Sequence, residues 1–167
     1  KVVSIDGDTL AVGVHFEDSN QTTITNGTGT SSNNSNISSG AVYVYKRSGS
    51  TWAQEAYIKA ANNVDFRFRG SEFGEDVSID GDTLAVGVNK ENNSLTTITN
   101  GTSASTITVE NSSSGAVFVY KRSGTNWAQQ AYIKASNADA GDLFGSSVSI
   151  DGDILAVGAY VEKSNQN

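Results

Sequence analysis

Apolar and polar residues alternate along this chain in short runs, and the runs come in pairs joined by tight turns. Val77-Ser78-Ile79 alternates, Asp80-Gly81 interrupts, and Thr83-Leu84-Ala85-Val86-Gly87 runs back. Asp-Gly between alternating segments predicts a hairpin, because a type I′ turn needs positive φ at both central residues. Ala116-Val117-Phe118-Val119-Tyr120 is rich in β-branched and aromatic residues and predicts a third strand. Ser123-Gly124-Thr125 turns the chain again, and residues 127–134 predict a fourth strand. Apolar spacing at i, i+3, i+4 and i+7 persists nowhere, so no helix is predicted.

The pattern repeats. Ser4 to Val14 returns unchanged from Ser78 to Val88, and again from Ser149 to Ala159 with Ile154 and Ala159 substituted. Ser39 to Gly49 returns at Ser114 to Gly124 with Phe118 for Tyr43, Trp52 returns as Trp127, and Tyr57-Ile58-Lys59-Ala60 as Tyr132-Ile133-Lys134-Ala135. Ser4 and Ser78 lie 74 positions apart, whereas Phe73 and Phe144 lie 71 apart. The shortening falls between Asn137 and Phe144, so length varies in a connection while the strands keep theirs. Four antiparallel strands per unit, repeated, predict an all-β fold of stacked β-propeller blades. The predicted organisation is a blade over 1–61 with an insert at 16–38, an inter-blade loop at 62–72, and a second blade over 73–136 with an insert at 89–113. Residues 137–167 hold a further loop and the first half of a third blade. Two and a half blades cannot close a ring, so further blades are expected from the rest of a longer chain or from neighbouring copies. The absence of Met and the start inside a strand pattern agree with a processed, excised or partial chain.

Phe73-Gly74 and Phe144-Gly145 before a first strand, with Gly13-Val14, Gly87-Val88 and Gly158-Ala159 closing a second, resemble the FG-GAP repeat. That repeat is the blade unit of the integrin α-subunit head and of many bacterial surface proteins. Residues 137–150 are very similar to the bacterial version, and apart from the two inserts the resemblance covers nearly the whole chain. It implies a propeller in an extracellular or cell-surface protein. Where the family often has Pro after the closing Gly-Ala, this chain has His15, Asn89 and Tyr160. Where integrin-type blades often wrap calcium, it has only Asp-Gly-Asp, too short for an ion that takes six to eight oxygens.

Charge and composition narrow the partners. A formal charge of −7 disfavours nucleic acid, which needs clustered Lys and Arg. No Cys is present, so packing alone must hold the fold, and no apolar run is long enough to span a membrane.

Candidate chemistry is sparse. The turns Asp6/Asp8, Asp80/Asp82 and Asp151/Asp153 are explained by turn preference before calcium is invoked. Asp139 and Asp142 flank Gly141 and are the better calcium candidates, although the preceding loop, interrupted by Arg67 and Arg69, does not repeat them. No other cofactor is expected. His15 is the one histidine and has no partner nearby in sequence, and no nucleophile elbow or phosphate loop occurs, so no enzymatic activity is expected. Tyr43, Tyr45, Trp52, Phe118, Tyr120 and Trp127 recur at matching positions and predict inter-blade core rather than a sugar-stacking set.

The inserts carry the functional expectation. Both are rich in Ser, Thr and Asn, and both contain Thr-Thr-Ile-Thr-Asn-Gly-Thr, at 22–28 and 96–102. Asn26-Gly27 and Asn100-Gly101 at the apex of alternating Thr/Ile segments predict projecting hairpins, with 105–109 as a return arm in the second. Thr23, Thr25, Asn26, Thr97, Thr99 and Asn100 are the predicted ligand contacts, for a protein or glycan on the cell exterior. Deleting 19–36 and 93–111 should then remove binding and spare folding. The predicted function is a non-enzymatic binding or adhesion module; the alternative is a structural repeat of a surface layer or extracellular filament. Asn-x-Ser/Thr triplets at Asn20, Asn26, Asn33, Asn36, Asn92, Asn100 and Asn111 would accept glycans in a secreted eukaryotic protein.

Overall fold

The computed structural model describes residues 2–63, 70–102 and 112–163, and every regular element among them is a β-strand. In the first blade β1 (Val2–Asp6), β2 (Thr9–Val14), β3 (Ile24–Asn26), β4 (Ala41–Ser48) and β5 (Thr51–Ile58) form one sheet ordered β1-β2-β4-β5-β3. The second blade repeats it with β6 (Asp76–Asp80), β7 (Thr83–Val88), β8 (Ile98–Asn100), β9 (Ala116–Ser123) and β10 (Asn126–Ile133), ordered β6-β7-β9-β10-β8. A last hairpin pairs β11 (Ser147–Asp151) with β12 (Ile154–Gly158). All pairings within the sheets are antiparallel. The Asp-Gly turns form as expected, with Gly81 at φ 55°.

The inserts depart from the expectation. Ile24–Asn26 does not project; it lies back along the outer edge of its own blade, pairing Ile24 with Ile58, Thr25 with Tyr57 and Asn26 with Ala56. Ile98–Asn100 does the same on β10. Each blade therefore has five strands instead of four. The reason is an unpaired edge: β5 and β10 would otherwise present open N–H and C=O groups, and an alternating Thr/Ile segment on a nearby tether satisfies them. The proposed return arm at 105–109, with Arg67, Arg69 and Asn111, lies outside the described residues. Removing 19–36 would strip this edge strand and the buried Ser19 and Asn36, so the deletion should lower stability as well as remove the rim.

Strict alternation sorts each blade into two unlike faces. The second blade's front presents Val77, Ile79, Leu84, Val86, Phe118, Tyr120, Trp127 and Tyr132 to the first blade's back, where Ala11, Val42, Val44, Ala56 and Ile58 leave room for them. Its own back offers Ala85, Val117, Val119 and Ala131 to Val148, Leu155 and Val157 of the last hairpin. Bulk on one face meets hollow on the next, so stacking can continue from blade to blade. Phe118, Tyr120 and Trp127 are buried at this junction, as the aromatic repeat predicted. Trp52, their first-blade counterpart, remains 42% exposed.

Trp127 and Tyr132 are five positions apart, an odd spacing that alternation alone would send to opposite faces. A β-bulge between Gln129 and Ala131 returns both to the front; β4 and β5 show the same irregularity, which leaves Glu55 without a cross-strand partner.

Candidate functional site

Several polar residues of the repeat reach across to a neighbouring blade. On the innermost strands Ser4 Oγ accepts the Ile79 amide at 3.1 Å and Asp6 Oδ2 the Gly81 amide at 2.9 Å. Ser78 and Asp80 accept those of Ile150 and Gly152 at 3.0 and 2.7 Å. The second Asp of each turn pairs within its blade, Asp8 with Arg47 and Asp82 with Arg122. The carboxylates of the acidic turns therefore serve as acceptors, those of Asp6 and Asp80 between blades and those of Asp8 and Asp82 within their own blade.

A second clamp lies near the rim. Glu55, turned out by the bulge, accepts Arg122 Nη1 and Trp127 Nε1, each at 3.0 Å. Asn26 Oδ1 accepts the Trp127 amide at 2.8 Å, across the junction. Burial alone works against the charge on Arg122, and the hydrogen bonds it donates to Asp82 and Glu55, with their negative charges, outweigh it, leaving its pKa raised. Asn26, proposed as a ligand contact, has its side-chain oxygen engaged inside the protein. Asn26→Ala should cost about 1 kcal/mol, read as a lower urea midpoint with unchanged slope.

At the end of the blade carrying the inserts sits a third polar cluster. Lys134 Nζ is fully buried and donates to Glu91 Oε2 at 2.9 Å, Ser114 Oγ at 2.7 Å and the Gly115 carbonyl at 2.6 Å. Asn62, from the preceding blade, donates to Glu91 Oε1 at 3.3 Å. Lys59 makes the corresponding contacts with Glu17 and Ser39. Burial lowers the pKa of both lysines and their Glu partners oppose it. Sequence reasoning missed this cluster. The available signal was a Lys repeated at the end of an apolar strand, with Glu17 and Glu91 repeated at the matching place in the inserts.

Tyr57, Tyr120 and Tyr132 are all fully or almost fully buried, and burial pushes each phenol well above its usual 10. Above pH 10 the unfolded chain releases phenolic protons that the folded chain retains, so stability falls as pH rises. The lysines act oppositely, because the unfolded chain holds more protons between their lowered folded pKa and 10.5. That contribution ends near 10.5, whereas each phenol continues to remove about 1.4 kcal/mol per pH unit. Melting temperature should therefore fall steeply above about pH 10.5, with the tyrosinate absorbance of the three buried phenols appearing only in step with unfolding.

The remaining candidates fall into place individually. Asp142 is buried and its Oδ2 accepts the Asp139 amide at 2.7 Å, while Asp139 is exposed. Among the described residues no three His, Cys, Asp or Glu gather as a metal-binding group. His15 Nδ1 lies 3.5 Å from Glu75 Oε2 at the blade junction. Of the glycan-acceptor triplets, Asn36 is buried against Asn63, and Asn92 accepts the Ser113 amide. Thr23, Thr97 and Asn100 are exposed and Thr25 and Thr99 half-buried; Gln21 Nε2 donates to both Thr23 and Thr25.

Between the first insert and the second blade runs a groove of about 260 Å³, lined by Thr22, Thr23, Asn26, Thr102 and Gln129 with Trp127 beneath. It joins both Thr-rich segments. No described helix is long and apolar enough to cross a membrane.

Residues 127–167 match the family model of the FG-GAP repeat, from β10 through Phe144-Gly145 to the last hairpin. No curated protein matches the chain.

Proposed function

We propose, from the premise that this chain is an FG-GAP repeat protein built of β-propeller blades, that it is a non-enzymatic extracellular binding or adhesion module. The observation that supports this reading is the repeated Thr/Asn rim. Ile24–Asn26 and Ile98–Asn100 end adjacent blades in matching register, with Thr23, Thr97 and Asn100 exposed. Two equivalent polar segments on neighbouring blades, with a groove between, suit a repeating hydroxylated ligand such as a glycan, each weak contact being reinforced by the next. Thr102 lines the groove, and Thr97 and Asn100 are exposed on the same Thr-rich segment. Their side chains could bond a sugar hydroxyl without a charge partner.

The test is binding of the full chain to a glycan array. Thr97→Ala with Asn100→Ala should reduce retention at least tenfold while the melting temperature moves by no more than a few degrees. Retention unchanged by that pair, or an array with no bound glycan, would remove the rim as the site.

A further inference from the structure

Lys134, Glu91 and Asn62 bring an amine, a carboxylate and a carboxamide together in the interior, and all three are buried. Lys134 Nζ donates to Glu91 Oε2 at 2.9 Å, and Asn62 Nδ2 donates to Oε1 of the same carboxylate at 3.3 Å. Glu91 Oε2 also accepts the Asn93 amide at 3.0 Å, which helps to fix the carboxylate between the two side chains. A nucleophile, a proton acceptor and an acyl group with a leaving nitrogen thus share one dry site.

The ammonium has three protons and three acceptors: Glu91 Oε2, Ser114 Oγ and the Gly115 carbonyl. Passing one proton to Glu91 leaves the other two bonded to Ser114 and Gly115. The freed lone pair then points toward the carboxylate that also holds Asn62. Burial favours this neutral state, since it lowers the pKa of Lys134 against the pull of Glu91.

We infer that Lys134 and Asn62 condense into an isopeptide bond across the blade junction, with Glu91 as the proton carrier. Lys134 Nζ attacks Asn62 Cγ, and a new C–N bond forms. Protonated Glu91 gives its proton to Asn62 Nδ2, the Cγ–Nδ2 bond breaks, and ammonia departs. The new amide nitrogen sheds its extra proton to Glu91, which passes it to the ammonia. One ammonium ion leaves, Glu91 regains its negative charge, and nothing is oxidised or reduced. Dilution of the ammonia into solvent makes the step one-way.

Freshly folded protein is unlinked, because the ion pair keeps most Lys134 protonated, and the bond accumulates with time. The chain has no Cys, and this bond supplies a covalent tie between its first and second blades. Lys59 provides the contrast. It meets Glu17 and Ser39 in the same way, but no side-chain amide bonds to Glu17 among the described residues. Lys59 should therefore remain a free amine.

The test incubates the freshly folded full chain at about pH 9, below the alkaline transition, and follows it by mass spectrometry. A form lighter by one ammonia should accumulate, several-fold faster than at about pH 7. Trypsin should release from it a branched peptide joining residues 60–67 to 123–163, because linked Lys134 is no longer cut. The linked form should also have a higher urea midpoint, since the cross-link restricts the unfolded chain. Asn62→Ala leaves Lys134 and Glu91 in place and should give no branched peptide while its circular dichroism stays unchanged. A wild-type digest that contains only linear peptides after incubation would overturn the inference. So would ammonia loss that continues unchanged in Asn62→Ala, which would place it at a backbone succinimide such as Asn26-Gly27.

Discussion

Glu91→Ala should destabilise the chain by about 3–5 kcal/mol, read as a lowered urea midpoint. The substitution leaves the Lys134 ammonium fully buried with only Ser114 Oγ and the Gly115 carbonyl as acceptors. It also strands the Asn62 amide, which crosses from the neighbouring blade. The loss is the penalty for an uncompensated buried charge, not the net worth of the pair. Glu91→Leu with Lys134→Met should accordingly cost less than half as much, since it removes both charges and fills their space. Additivity of the two single losses would show that Lys134 and Glu91 act independently, contrary to the geometry. Glu17→Ala should be milder, because water already reaches that carboxylate.

The second large effect is expected at the junction of the blades. Gly115 sits at φ 83°, and a Cβ there would overlap the carbonyl oxygen of Phe144, which bridges it in parallel fashion. Gly40 stands in the same relation to Phe73. Phe73 is fully buried and packs edge-on against Phe118 at 5.6 Å and Tyr120 at 6.2 Å, so it joins one blade's backbone to the next blade's aromatic front. Gly115→Ala should cost at least about 4 kcal/mol, since neither backbone can retreat without opening the junction. Gly124 isolates the conformational part of the cost: it is at φ 62° with nothing within 4 Å of an added Cβ. Gly124→Ala should cost only about 1 kcal/mol. Equal midpoints for the two variants would mean that the close approach to Phe144 contributes nothing.

These two sites differ in how far the sequence revealed them. Phe73-Gly74 and Phe144-Gly145 were visible as motifs, and their relation to a blade start is confirmed. That Gly40 and Gly115 exist to admit those phenylalanine carbonyls was not visible, because the contact joins segments about 30 residues apart across two sheets. The Lys134 cluster was half legible. A Lys at the end of an apolar strand is an anomaly that asks for a partner, but Ser114 and Glu91 lie 20 and 43 positions away and Asn62 belongs to the preceding blade. The inserts were misread for a related reason: Asn-Gly between Thr/Ile segments is a strong local hairpin signal, and the open edge of β5, formed far along the chain, outcompetes it.

What the sequence alone determined is the repeat, and with it the all-β class, the four main strands of each blade, the Asp-Gly turns and the aromatic positions Phe118, Tyr120 and Trp127 of the blade junction. Those features follow from local rules, from alternation with period two and from turn residues that require positive φ, and local rules can be read without knowing which strands meet. Only the tertiary structure decided which edge the Thr-rich segments would close. It also decided that Glu55 would be swung out by a bulge to hold Arg122 and Trp127 of the next blade. Each depends on which surface lies opposite, and opposition between blades is a property of the stack.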